Sequence, residues 1–143
     1  MKSKILVFIQ FFLITLMLLP LVEAVNYKFF GMLFLIFGIS VGALGILKHP
    51  RKNFNIRPDI KENCLLMTDG IYAYIRHPMY FSVIVSMLGV LFLKFSIFEF
   101  VLYTLLVVNM LVKMFYEENL WHCEGKEYSE YSKNTKRLIP YIF

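Results

Sequence analysis

Apolar residues run along this chain in four long stretches, and the polar residues gather between them. Ile5 to Val22 follows Lys2 and Lys4, and Phe29 to Leu47 follows Lys28. Each run of about 18 to 19 residues makes ~27 Å of helix, enough to cross hydrocarbon. Met79 to Phe115 is too long for one crossing and is interrupted by Lys94 and Glu99. It therefore reads as two helices, Met79 to Leu93 and about Phe95 to Phe115, joined by a tight hairpin. The pattern predicts an all-α integral membrane protein, a single membrane domain over residues 1–143. Four transmembrane helices are expected at about 5–22, 29–47, 79–93 and 95–115, with a polar loop over 48–78 and a polar tail over 117–143.

Composition agrees with this pattern. A chain of 143 residues that is 59% hydrophobic and 17% aromatic, with a mean hydropathy of +0.64, has more apolar surface than a soluble globule of that size can bury. Of the 15 Lys and Arg, all but Lys28 and Lys94 fall on one side of such a bundle. The positive-inside rule then makes both termini and the 48–78 loop cytoplasmic, which requires an even number of crossings. The net charge of +5, set between apolar spans, suits an anionic membrane surface and not nucleic acid. The basic start, the apolar run and Val22-Glu23-Ala24 also resemble a signal peptide, but the run is long for one, and a retained span is expected. Two cysteines, Cys64 and Cys123, exclude a disulfide framework. His122 beside Cys123 makes a poor metal site without further ligands, so no metal is expected.

The candidate chemistry lies where the polar loop enters the membrane. Prolines at positions 50 and 58 mark the first part of the loop as an extended connector that touches lipid headgroups. Asp69-Gly70 signals a turn, and Pro78 suits the first position of a helix. Arg76 and His77 beside that helix start form a candidate anion site. Further on, Asn109, Lys113 and Glu117 are spaced four apart and share one helix face, which must look into the bundle or an aqueous pocket. Glu117 and Glu118 fall near a helix end where the macrodipole disfavours negative charge, so a cationic partner is expected. With Tyr72, Tyr74 and Tyr80 between, this set suits a zwitterionic ligand with a flat ring and a positive centre, of which S-adenosylmethionine is one example.

The ordered set Gly70-Ile-Tyr72-x-x-x-Arg76-His77-Pro78-x-Tyr80, Glu117-Glu118, Gly125-Lys-Glu-Tyr128-x-x-Tyr131 and Arg137-x-Ile139-Pro140 resembles the isoprenylcysteine carboxyl methyltransferase family and its phospholipid methyltransferase relatives. The resemblance implies a membrane enzyme that takes S-adenosylmethionine from the cytosol and methylates a lipophilic acceptor arriving from the bilayer. It implies that Cys64, Leu65, Leu66, Met67, Tyr72, His77, Pro78, Met79, Tyr80 and Glu117 enclose the cofactor, with Glu118 beside them. His77 and Glu117 are the candidate catalytic groups; Arg76, Asn109 and Lys113 are the candidate acceptor contacts. Lys113 stands where the isoprenylcysteine enzymes place an arginine, and so lacks the planar two-donor fork. The tail, with Tyr128, Tyr131, Arg137 and Pro140, resembles a cap over the cofactor, although Glu118 to Gly125 is about one residue short of the family pattern and Glu124 replaces an aromatic.

Two alternatives remain from the sequence. NADPH-dependent sterol reductases carry a similar Arg-His-Pro-x-Tyr motif, but this chain has Met79 where they favour asparagine and Phe81-Ser82 after the tyrosine. A non-enzymatic membrane adaptor would tolerate loss of His77 and Glu117. The acceptor's identity and the oligomeric state, including dimerisation, stay open.

Overall fold

The computed structural model of the protein describes residues 2–21, 26–48, 66–124, 126–140 and 142–143, with the backbone alone for residues 123, 124 and 126. Among these residues there are five helices and no strand: α1 (Lys2–Leu18), α2 (Lys28–Lys48), α3 (Pro78–Leu93), α4 (Ile97–Glu124) and α5 (Lys126–Asn134). Two of them, Lys28–Lys48 and the Ile97–His122 part of α4, are long and apolar enough to cross a membrane. The basic connector expected after Lys48 lies outside the described residues, as does Val22-Glu23-Ala24.

Helix ends follow local chemistry more closely than hydropathy. α1 stops at Leu18 and does not reach Val22, because Pro20 lacks an N–H and pushes the residue before it out of the helical region. α3 begins with Pro78 at its first position, where a missing N–H costs nothing. Gly70, at φ 61, turns the chain into a short 3-10 turn, Gly70–Ala73. α4 runs on to Glu124 instead of ending near Phe115. In the stretch past the apolar run, Glu117 accepts from Tyr80, and Glu118 from Arg76 and Arg137.

Helices α2 and α3 pack closely through small residues. A Cβ on Gly38 would lie 2.6 Å from the Ser86 nitrogen, and one on Gly89 would lie 2.6 Å from the Leu35 nitrogen. Ser82 Oγ also donates to the Gly38 carbonyl at 2.7 Å. This is how helices associate where no hydrophobic effect drives them together. Helix α1 lies against α4 and α3, and Leu13, Met17, Leu91, Leu102, Leu106 and Met110 form the core between them. Outward-facing residues such as Phe8, Phe29 and Ile97 are 70%, 75% and 83% exposed, an apolar exterior suited to lipid.

At one end of the bundle, Ser96 Oγ accepts from the Glu99 N–H at 3.1 Å and caps α4. Glu99 is buried and pairs with Lys94 at 2.9 Å, while Lys94 Nζ also donates to the Leu19 carbonyl at 2.8 Å. Lys94 therefore ties the α3–α4 hairpin to the end of α1. The candidate site lies at the other end, where Tyr72, His77 and Glu117 meet.

Candidate functional site

The segment just before α3 is held by residues about sixty positions later in the chain. The Arg76 N–H donates to the Lys136 carbonyl at 2.7 Å and the His77 N–H to the Arg137 carbonyl at 3.0 Å, around a parallel bridge between Ile75 and Lys136. These bonds satisfy backbone groups that precede a helix start and would otherwise lack partners. Tyr131, on α5, adds a 2.6 Å hydrogen bond from its hydroxyl to the Tyr72 carbonyl. The tail thus docks on the 72–77 segment.

Glu118 is the hub of this docking. Its Oε1 accepts from Arg76 Nε at 2.9 Å and lies 3.3 Å from His77 Nε2, while its Oε2 accepts from Arg137 Nε at 2.8 Å. Arg76 also donates through Nη1 to the Ser132 and Thr135 carbonyls. For Glu118, the cationic partners expected near this helix end are therefore Arg76 and Arg137. Arg76, expected to contact an acceptor, spends its guanidinium on Glu118 and the tail. Glu118, expected beside the cofactor, is absent from the cavity wall.

The cavity itself measures about 290 Å³. Its polar and aromatic wall is Tyr72, His77, Tyr80, Lys113 and Glu117, and Arg76, Pro78 and Met79 also border it. Phe11, Ile14, Val83 and Met110 line the rest, with Gln10. Tyr80 donates to Glu117 Oε2 at 2.6 Å, and the His77 ring stands edge-on to Tyr80 at 5.2 Å between centroids. Lys113 donates to Gln10 Oε1 at 2.7 Å and sits 5.3 Å from the centre of the Tyr80 ring. The Tyr72 phenol is pushed up to about 12, first by burial and then by the Glu117 charge, so it is a hydrogen-bond donor and not a base at neutral pH. Because an ionised Glu118 only accepts, the 3.3 Å contact with His77 has the imidazole Nε2 as its donor.

Of the residues singled out in the sequence, Tyr72, Arg76, His77, Pro78, Met79, Tyr80, Lys113 and Glu117 come together around this cavity. Asn109 turns to α1 and donates to the Leu6 carbonyl at 3.2 Å. Leu66 borders a separate, more open groove of about 490 Å³ with Thr68, Ala73, Tyr131 and Thr135. Met67 is half-buried, while Cys64 and Leu65 lie outside the described residues. The sequence reading missed Gln10, Phe11, Ile14, Val83 and Met110. Gln10 carried a usable signal, since it is an amide within an otherwise apolar span.

The family model for isoprenylcysteine carboxyl methyltransferase matches residues 30–122, which hold α3, nearly all of α2 and α4, and most of the cavity wall. The chain belongs to this family. A curated relative, the protein-S-isoprenylcysteine O-methyltransferase of Schizosaccharomyces pombe, is 32% identical over 80 residues, covering 54% of this chain and 34% of the relative. The chain thus spans about a third of that relative's length in the match. No solved structure matches the chain. The cavity residues on α1 lie outside the segment that the family model covers.

Proposed function

We propose that the protein is a membrane methyltransferase that uses S-adenosylmethionine and methylates a lipophilic acceptor, whether a prenylcysteine-like carboxylate, a phospholipid amine or a small thiol. The observation that carries this reading is a single cavity lined both by aromatic and charged groups, among them Tyr72, Tyr80, Lys113 and Glu117, and by the apolar side chains of Phe11, Ile14, Val83 and Met110. Its residues fit the cofactor. Tyr72 and Tyr80 offer aromatic faces to a flat ring or a sulfonium, and Glu117 offers a carboxylate to an ammonium or to ribose hydroxyls. When bound, the cofactor supplies an electrophilic methyl group.

The chain's own part is to hold and to exclude. Phe11, Ile14, Val83 and Met110 take up the hydrocarbon of the acceptor and keep water out, and Lys113 offers a cation to its polar head. In-line displacement needs the acceptor atom about 3 to 3.5 Å from the methyl carbon, so positioning supplies most of the rate. A carboxylate or thiolate acceptor has no proton to lose, whereas an amine passes its proton to His77 or a carboxylate. Helices α1 to α4 cross the bilayer as four spans, and the charge asymmetry puts the termini and the cavity mouth on the cytoplasmic side.

Calorimetric titration of detergent-purified protein with S-adenosylhomocysteine and, separately, NADPH tests this. Micromolar binding of the first alone, lost in Glu117→Ala and His77→Ala, is the expected result. Binding of NADPH alone would replace the reading with a reductase, and silence toward both in folded protein would replace it with an adaptor.

A further inference from the structure

Gln10 lies in α1, where the stretch from Ile5 to Leu18 is apolar except for Gln10 and Thr15. It is 6% exposed, and a buried amide costs stability unless it is hydrogen-bonded. Its oxygen accepts from Lys113 Nζ at 2.7 Å across the α1–α4 contact. An ammonium only donates, so this bond fixes which way the amide faces and leaves its NH2 as a further donor.

The bond does more than join two helices. One turn away on both helices, Asn109 donates to the Leu6 carbonyl at 3.2 Å, and neither of those residues borders the cavity. Helices α1 and α4 are therefore already tied at that level. Gln10 and Lys113, by contrast, both line the cavity, as does Glu117, four residues after Lys113 on the same helix. A lysine and a glutamate so spaced attract one another, the more strongly where water is scarce. In the structure Glu117 instead accepts from the Tyr80 hydroxyl at 2.6 Å, and the Lys113 ammonium sits between Gln10 and the Tyr80 ring.

We propose that Gln10 is a positioning residue that keeps the two charges of the cavity apart. By holding the Lys113 ammonium on the α1 side, it prevents collapse onto Glu117, so the carboxylate stays available to the cofactor and the cation to the acceptor. Without the amide oxygen, Lys113 swings to Glu117 and both charges are lost to ligands. The inference rests on the methyltransferase reading and deepens it. It also assigns a role in the site to a helix outside the 30–122 segment shared with the family.

The test is a double-mutant cycle read by calorimetric titration of the full chain in detergent with S-adenosylhomocysteine. Gln10→Met keeps the length and removes the oxygen, and it is expected to weaken binding about tenfold, the scale of one hydrogen bond to a charged group. Gln10→Glu, which keeps an oxygen for the ammonium, is expected to stay within threefold of the parent. In a Lys113→Met background, Gln10→Met is expected to cost nothing further, because no cation remains to collapse. Should Gln10→Met fail to fold, Gln10→Asn, too short to reach, takes its place in the cycle. Parent protein that binds while Gln10→Met matches it, or a tenfold loss that persists in the Lys113→Met background, overturns the inference alone. Parent protein that binds no S-adenosylhomocysteine overturns the methyltransferase reading and removes the inference with it.

Discussion

Replacing Glu118 with leucine tests the docking of the tail directly. The Glu118 side chain is 5% exposed and that of Arg76 is 7% exposed, so little water can take over the charge left behind. Arg137, at 36%, can be hydrated and loses less. Breaking a buried ion pair from one side costs about 3 to 5 kcal/mol. Arg76 keeps its bonds to the Ser132 and Thr135 carbonyls, which places the expected loss at the lower end, about 3 kcal/mol. Trp121, the single tryptophan, stacks on Tyr128 with ring centroids 5.8 Å apart and so reports tail docking by its fluorescence. Titrating the protein in dodecylmaltoside micelles with dodecyl sulfate gives the stability, and limited proteolysis of residues 126–143 gives the docking itself. The double variant Arg76→Met/Glu118→Leu is expected to be more stable than Glu118→Leu, since it leaves no buried charge unpaired. A Glu118→Leu protein within 1 kcal/mol of the parent, with a tail no easier to cleave, would refute the reasoning.

Two further outcomes follow from the geometry. Tyr80→Phe removes the 2.6 Å hydrogen bond to Glu117 and is expected to raise the dissociation constant for S-adenosylhomocysteine about tenfold by calorimetry with little change in stability, whereas equal binding would detach Glu117's orientation from Tyr80. Lys94→Met leaves Glu99, 1% exposed, buried without its cation, and should cost about 3 kcal/mol in the same dodecyl sulfate titration, with Lys94→Arg recovering most of it.

The four apolar helices and their order were legible because their apolar runs are long, and Lys94 with Glu99 announced the hairpin, whereas α5 in the polar tail carried no such signal. Helix ends were less legible. Pro20 cut α1 short, a local effect that a hydropathy window averages away, and α4 ran on to Glu124 past carboxylates with partners 37 and 42 residues earlier. The Asp69-Gly70 turn and Pro78 at the start of α3 were readable since each depends on a backbone property of one residue. Arg76 does border the cavity, but its partner was not readable. A basic residue before a helix start suggests an anion site, but its actual anion, Glu118, lies 42 residues away and belongs to the protein. Gln10 and Lys113, separated by 103 residues, show the same limit, because no spacing rule within one helix reveals a partner on another.

The order in which the chain is made acquires a meaning from the tail bonds. Helices α1 to α4 can pack as soon as they exist, since their contacts need nothing beyond Glu124. Arg76 and His77 must wait for residues 132–137 to supply their carbonyls and a second guanidinium for Glu118. Until those residues are made, the 72–77 part of the cavity wall lacks the bonds that hold it. The setting of Tyr72, Arg76 and His77 in the cavity wall therefore depends on the tail as well as on helix packing.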